Sequence, residues 1–259
     1  FFYRHIAALK DALRQGPRYH VLACARLAGS AWAQPTPAVA LYYGSGIALS
    51  EFGNFDILVV DPDHATAPRL PTTQVYAYAS VTEVHPTRAY CDQIPAQWKL
   101  ARNADWQSDV IDQSIAQWPD FFFFLLIAPL WQHGYRGFFL DTLDSYRLAQ
   151  HFDEQAQQQG LVRVINTLHQ RFPGIQLIFN RGFELIPQLP GKVQMVAAES
   201  LYRAWNARTG RYEEVPQDDR AWLLGQLRTI QERDHLPVLV IDYAPPQERE
   251  LARRTAEKI

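Results

Sequence analysis

The sequence predicts an α/β protein of the (β/α)8 TIM-type barrel class, with the eighth strand missing from this chain. Three observations predict it. Short apolar runs alternate with longer segments, several of helical spacing, and there are seven such runs. The runs are apolar on both faces, which demands a parallel sheet covered by helices on each side. The 259 residues suit one barrel, which typically takes about 250, and no low-complexity block or short-period repeat divides them.

Residues 39–43 form the first run, ended by Gly44, and residues 55–60 form the second, ended by Asp61-Pro62-Asp63. Residues 74–80 give a third strand. The stretch 95–130 that follows is long enough for helical segments, with Asp120 as the cap of an apolar helix over 121–130. A fourth strand over 137–140 stops at Asp141-Thr142-Leu143-Asp144. Leu161, Val164, Ile165 and Leu168 have helical spacing and place a helix over 152–172, which Pro173-Gly174 breaks before a fifth strand over 175–179. The sixth strand covers 193–198, a helix 220–233, the seventh strand 237–241, and a last helix 247–257. The chain stops where an eighth strand is expected. The competing fold is a doubly wound open sheet, but Gly44-Ser45-Gly46 is followed by Ile47-Ala48-Leu49, without the third glycine of a phosphate-binding turn.

Residues 37–259 are assigned to the barrel, and residues 1–33 to a signal or export segment or an N-terminal helix. Arg4, Lys10, Arg14 and Arg18 precede an apolar stretch over 21–29, and Ala31-Trp32-Ala33 has the form of a signal-peptidase site. Asp11 and Arg26 fit a signal poorly. The other reading is an amphipathic helix over 2–15, packed on the first strand.

A hydrophobic share of 47% and a charged share of 20% exclude a disordered chain. The net charge of -2 provides no bulk attraction for nucleic acid or a membrane surface. No apolar run reaches the roughly 18 residues needed to span a bilayer. Cys24 and Cys91 lack CxxC spacing, which argues against zinc knuckles, iron–sulfur clusters and a disulfide framework. The eight histidines form neither HxH nor HExxH, none of the four lysines follows a strand, and no GxSxG elbow occurs. Neither metal nor organic cofactor is implied, and carboxylate chemistry survives the elimination.

In a parallel barrel the C-terminal strand ends converge on one face. Here they carry Asp61, Asp141, Glu199 and Asp242, with Asn180 and Glu184 after the fifth strand and Asp144 after the fourth. Gathered carboxylates raise one another's pKa, so such a ring serves chemistry or a cation. Any single aspartate there could instead cap the next helix, but glutamate is a weak cap, and Glu199 is the hardest to explain that way. Paired acids suit glycoside hydrolysis, in which one protonates the leaving oxygen and the other attacks the anomeric carbon or activates water. Tyr42, Tyr43, Tyr76, Tyr78, Tyr202, Trp205 and Tyr243 lie in or just after strands, where flat rings can stack on sugars. For Tyr76 and Tyr78, inside a strand, packing is the favoured role. Two alternatives stand beside hydrolysis: a non-catalytic glycan-binding barrel, and a metal-dependent polysaccharide deacetylase built on Asp61, Asp63 and His64.

The segments Val39-Ala-Leu-Tyr-Tyr-Gly44, Phe55-Asp-Ile-Leu-Val-Val-Asp61, Tyr76-Ala-Tyr-Ala-Ser80, Gly137-Phe-Phe-Leu-Asp-Thr-Leu-Asp144, Val196-Ala-Ala-Glu-Ser200 and Val240-Ile-Asp-Tyr243 resemble the hydrolase domains of bacterial Pel exopolysaccharide systems. Those domains form glycoside hydrolase family 166, related to family 114. The resemblance runs from Pro37 to the C-terminus. It implies an endo-acting hydrolase of an α-1,4-linked, galactosamine-rich, partly N-acetylated polysaccharide. It also implies a periplasmic location and, as partners, other exopolysaccharide export or modification proteins. In such families the fourth-strand aspartate and sixth-strand glutamate are the catalytic pair, matching Asp141 as nucleophile and Glu199 as general acid/base. The substrate-binding set is then Tyr43, Asp61, Tyr78, Asp144, Asn180, Glu184, Tyr202, Asp242 and Tyr243.

Overall fold

A computed structural model describes residues 37–65 and 70–259. The export segment or N-terminal helix assigned to residues 1–33 lies outside the described residues, as does Cys24. The described chain forms two compact units, one running through Ala77 and resuming over Met195–Ile259, the other covering Tyr78–Gln194.

The first unit opens with β1 (Val39–Tyr42) and β2 (Ile57–Val60), both buried along their whole length. They pair in parallel from Val39 opposite Ile57 to Tyr42 opposite Val60. Next comes β3 (Gln74–Ser80), whose first four residues pair in parallel with β2. Valine, isoleucine and leucine on both faces are what a strand covered on each side requires.

The second unit takes up the end of β3 and departs from expectation over 95–130. In place of helices it first builds a small antiparallel sheet from β4 (Glu83–Val84), β5 (Lys99–Asn103) and β6 (Ser108–Ile111), in the order β4-β6-β5. The reason is local. The Asn103 side-chain oxygen accepts from the amides of Asp105 and Trp106 at 3.1 and 3.4 Å, and Gln107 takes a left-handed φ of 53°, so the chain reverses without a glycine. Lys99 and Arg102 on β5 then face Asp109 on β6 at 2.8 and 3.0 Å.

Helix follows as α1 (Trp118–Phe122) and α2 (Ala128–Gln132), joined by the π-helical turn Phe123–Ile127. Asp120, expected as a cap, lies inside α1 and makes no capping bond. Pro119 in the first turn starts the helix one turn earlier, because its ring suits that φ and its missing N–H has no partner to lose there. Then come β7 (Gly137–Asp141), α3 (Glu154–Arg171) and β8 (Gln176–Asn180). Strands β7 and β8 are parallel. Asp153 caps α3 through the Ala156 amide at 3.1 Å, and Leu161, Val164, Ile165 and Leu168 are its buried face, as their spacing predicts. Gly160 allows α3 to approach residue 113, since a Cβ there would stand 1.8 Å from the Gln113 carbonyl oxygen.

The chain returns to the first unit with β9 (Met195–Glu199), the antiparallel hairpin β10 (Arg203–Asn206) and β11 (Arg211–Glu214), α4 (Gln217–Glu232), β12 (Val238–Ile241) and α5 (Arg249–Lys258). Strands β9 and β12 pair in parallel. The hairpin was not legible as strands. Its turn rests on the Asn206 side chain, which accepts from the amides of Arg208 and Thr209, and on the left-handed Gly210.

The seven predicted strands are therefore β1, β2, β3, β7, β8, β9 and β12, and they follow one another in one sheet in chain order. That succession, with α3 between β7 and β8 and α4 before β12, is the (β/α)8-type topology less one strand.

Candidate active site

Three of the acids or amides expected at strand ends are the last residues of their strands: Asp141 of β7, Asn180 of β8 and Glu199 of β9. Asp61 and Asp242 are the first residues after β2 and β12. Each of the three last residues is followed by a non-glycine residue in the left-handed region, Thr142 at φ 65°, Arg181 at 62° and Ser200 at 64°. Only five non-glycine residues take positive φ among the described residues. Such a conformation costs roughly 1–3 kcal/mol and persists where surrounding structure imposes it, often at functional sites.

In the second unit the Asp141 carboxylate is held from both sides. Tyr78 Oη donates to Oδ2 at 2.7 Å and Asn180 Nδ2 donates to Oδ1 at 2.8 Å. Both neighbours are donors here, so both oxygens act as acceptors and the carboxyl plane is fixed. The Tyr78 phenol therefore has a polar task beyond the packing favoured for it. Sequence alone could have shown this through period-two alternation, which puts Tyr76, Tyr78 and Ser80 on one face of β3.

Asp144 lies in the same electrostatic neighbourhood. Burial pushes its carboxyl up from the usual range, Arg181 pulls it down, and Glu184 and Asp141 push it further up. Glu184 accepts from the buried Tyr146 phenol at 2.9 Å and lies 3.4 Å from Arg147.

Sequence reading missed Glu83. It is buried, and its carboxylate accepts from Asn103 Nδ2 at 3.1 and 3.2 Å and from the hydroxyls of Ser108 and Ser145. The small sheet is thereby joined to the turn after β7. A glutamate three residues beyond a strand carries no periodic signal, and its partners are up to 62 residues away.

In the first unit, Tyr243 Oη donates to Glu199 Oε2. Asp242, next to it, is 3% exposed. Its carboxylate receives the backbone amides of Leu201 at 2.7 Å, Tyr202 at 3.0 Å and Arg203 at 3.1 Å. Burial pushes the Asp242 carboxyl up, and those three amides pull it part of the way back. It brackets the loop that follows Glu199. The Tyr202 phenol donates to the Lys258 carbonyl at 2.9 Å, with the Arg220 guanidinium 5.1 Å above its ring. Asp242 and Tyr202, expected at the sugar, thus have polar partners within the protein.

Asp61 accepts from the Asp63 amide at 3.0 Å and its carbonyl from the His64 amide at 3.0 Å, so it organises its own turn. The His64 ring nitrogen Nδ1 lies 2.7 Å from the Tyr43 carbonyl and donates to it. Among the described residues no group of three or more histidine, cysteine, aspartate or glutamate side chains is placed to hold a metal ion. No helix among them is long and apolar enough to cross a membrane.

Strands β7 and β9 each end in an acid, the first held by a tyrosine and an asparagine and the second by a tyrosine, and the sequence family defines the chain as a glycoside hydrolase. The chain belongs to glycoside-hydrolase family GH114, whose family model matches residues 23–259. It is similar to the glycoside hydrolase domain of PelA from Pseudomonas aeruginosa, at 38% identity and a TM-score of 0.76, over 85% of this chain and 89% of that one. A glutamate-to-alanine variant of the same domain matches with the same figures. Ega3 of Aspergillus fumigatus, solved in complex with galactosamine, shares the fold at a TM-score of 0.58 and 14% identity, over 78% of this chain and 74% of that one. No curated protein matches the chain. The resemblance to Pel-system hydrolase domains is borne out, and so is the kinship with family 114.

Proposed function

We propose that this glycoside hydrolase is an endo-acting enzyme that cleaves an α-1,4-linked, galactosamine-rich, partly N-acetylated exopolysaccharide, and that it works in the periplasm beside export or modification partners. Asp141 acts as nucleophile and Glu199 as general acid/base. An Asp141 oxygen attacks the anomeric carbon while the glycosidic C–O bond breaks, and the Glu199 proton passes to the leaving oxygen. Water then attacks the glycosyl-enzyme ester bond at that carbon, returning a proton to Glu199 and freeing the Asp141 carboxylate. Asp144, Glu184, Asp61, Tyr43 and Asn180 bind or orient sugar hydroxyls and amines. Free amino groups on the sugar are ammonium ions, to which carboxylates are attracted.

The observation that carries this reading is the Asp141 carboxylate at the end of β7, fixed by donors from Tyr78 and Asn180. A nucleophile held in one orientation enters the reaction without losing rotamer freedom at that moment. The periplasmic location and the substrate rest on the kinship with the PelA domain. Incubating the purified protein with galactosaminyl oligomers of defined length and acetylation, and sizing the products, tests it. Internal cleavage with retention at the new reducing end is expected. Binding without cleavage would support a glycan-binding barrel instead, and release of acetate without chain shortening would support a deacetylase.

A further inference from the structure

Thr142 is an unusual residue at its position. It follows Asp141 directly, takes a φ of 65°, and is β-branched, a side-chain class that the left-handed region disfavours most. Asparagine or glycine would suit the backbone better. What the threonine touches offsets that cost.

Its hydroxyl lies 2.6 Å from the Asp141 carbonyl oxygen and 3.0 Å from Ser80 Oγ, and it accepts the Thr82 amide at 3.0 Å. The Thr82 hydroxyl donates in turn to the Thr142 carbonyl, and the Val81 amide donates to the Asp141 carbonyl at 3.0 Å. Thr82 and Val81 are fully buried. Residues 80–82 therefore grip both carbonyls flanking the Thr142 backbone as well as its side chain. A second grip comes from Glu83, which binds Ser145 three residues further on. The peptide after Asp141 is locked while the Asp141 side chain is locked separately by Tyr78 and Asn180.

We propose that Thr142 is a positioning residue for hydrolysis: its hydroxyl, clamped by residues 80–82, holds the backbone after Asp141 in the left-handed conformation that aims the Asp141 carboxylate at the anomeric carbon. The inference rests on the reading of Asp141 as nucleophile. Lost aim lowers the rate of the chemical step without weakening ground-state binding.

The test compares Thr142→Val, Thr142→Gly and Thr142→Ser on the full chain, with Asp141→Asn beside them, using partly N-acetylated galactosaminyl oligomers. Valine keeps the branch and loses the hydroxyl, glycine suits the φ and loses both, and serine restores the hydroxyl. Expected are a fall in kcat of about tenfold or more for valine and glycine with KM within about twofold, and recovery of most of that loss in Thr142→Ser. Thr142→Gly loses the acceptor of the buried Thr82 amide but relieves the left-handed strain, so turnover is compared well below its thermal midpoint, where slow turnover cannot be ascribed to unfolding. If valine fails to fold, glycine carries the test. Unaltered kcat in folded Thr142→Gly, with Asp141→Asn inactive, overturns this inference alone. An active Asp141→Asn overturns the reading of Asp141, and the inference with it.

Discussion

Asp141 and Glu199 end their strands in the same way and are supported in opposite ways. Each closes a strand, receives a tyrosine hydroxyl and precedes a left-handed residue. Asp141 is held by side chains from β3 and β8, and its following turn by residues 80–82 and Glu83. The loop after Glu199 is held by one carboxylate, Asp242, gathering three consecutive amides. The first arrangement fixes a carboxylate from both sides, which on the proposed mechanism serves a nucleophile. The second brackets the loop that follows the carboxylate, while Tyr243 donates to the carboxylate itself.

The largest effects should come from the acids themselves. Asp141→Asn and Glu199→Gln are each expected to lower hydrolysis by roughly 100-fold or more with folding intact by circular dichroism. Substrate choice sharpens the contrast. On a nitrophenyl galactosaminyl oligosaccharide, whose leaving group needs no proton, Glu199→Gln should still release a rapid first equivalent of nitrophenol before slow turnover, because only the second step then lacks its base, while Asp141→Asn should release none. Equal behaviour of the two variants on that substrate would break the assignment of roles.

Asp242→Ala should act on stability. Removing the acceptor leaves buried amides unsatisfied, at about 1–3 kcal/mol for each group that water cannot reach, so a lower denaturant midpoint of unfolding is expected. A midpoint equal to that of the unaltered protein would mean the loop after β9 does not depend on this bracket.

Tyr78→Phe and Tyr243→Phe remove one hydroxyl each and should cost about tenfold in kcat, or about 1.4 kcal/mol, the scale of one hydrogen bond. The Tyr78 loss is expected to be the smaller, because Asn180 still holds Asp141. The reverse order, measured side by side, would say that Asn180 contributes nothing to orientation.

The smallest effect concerns Asp144. Its carboxyl is pushed up from 3.8 in the folded protein, chiefly by burial. The folded state therefore holds this proton more tightly than the unfolded chain does. The contribution to stability is fully present below pH 3.8 and is lost as pH rises through the raised value. Asp144→Asn, which cannot ionise, should be relatively more stable near pH 7 than near pH 3.5. Thermal midpoints of both proteins at the two pH values check this, and a difference independent of pH would remove Asp144 from the linkage.

What the sequence determined by itself was local. Apolar runs placed all seven strands of the main sheet within about two residues, and spacing placed α3, because burial on both faces and helical periodicity are written into neighbouring residues. Strand ends pointed to Asp141, Asn180 and Glu199 for the same reason. The hairpins over 99–111 and 203–214 escaped, since their turns rest on asparagine side chains that accept backbone amides, a signal easily read as ordinary loop. Only the tertiary structure decided which side chains serve those acids. Tyr78 meets Asp141 across 63 residues, Ser145 meets Glu83 across 62, and Asp242 reaches back 41 residues to Leu201. Contacts so far apart in the chain leave no periodic trace, and they form only once the fold has brought their segments together.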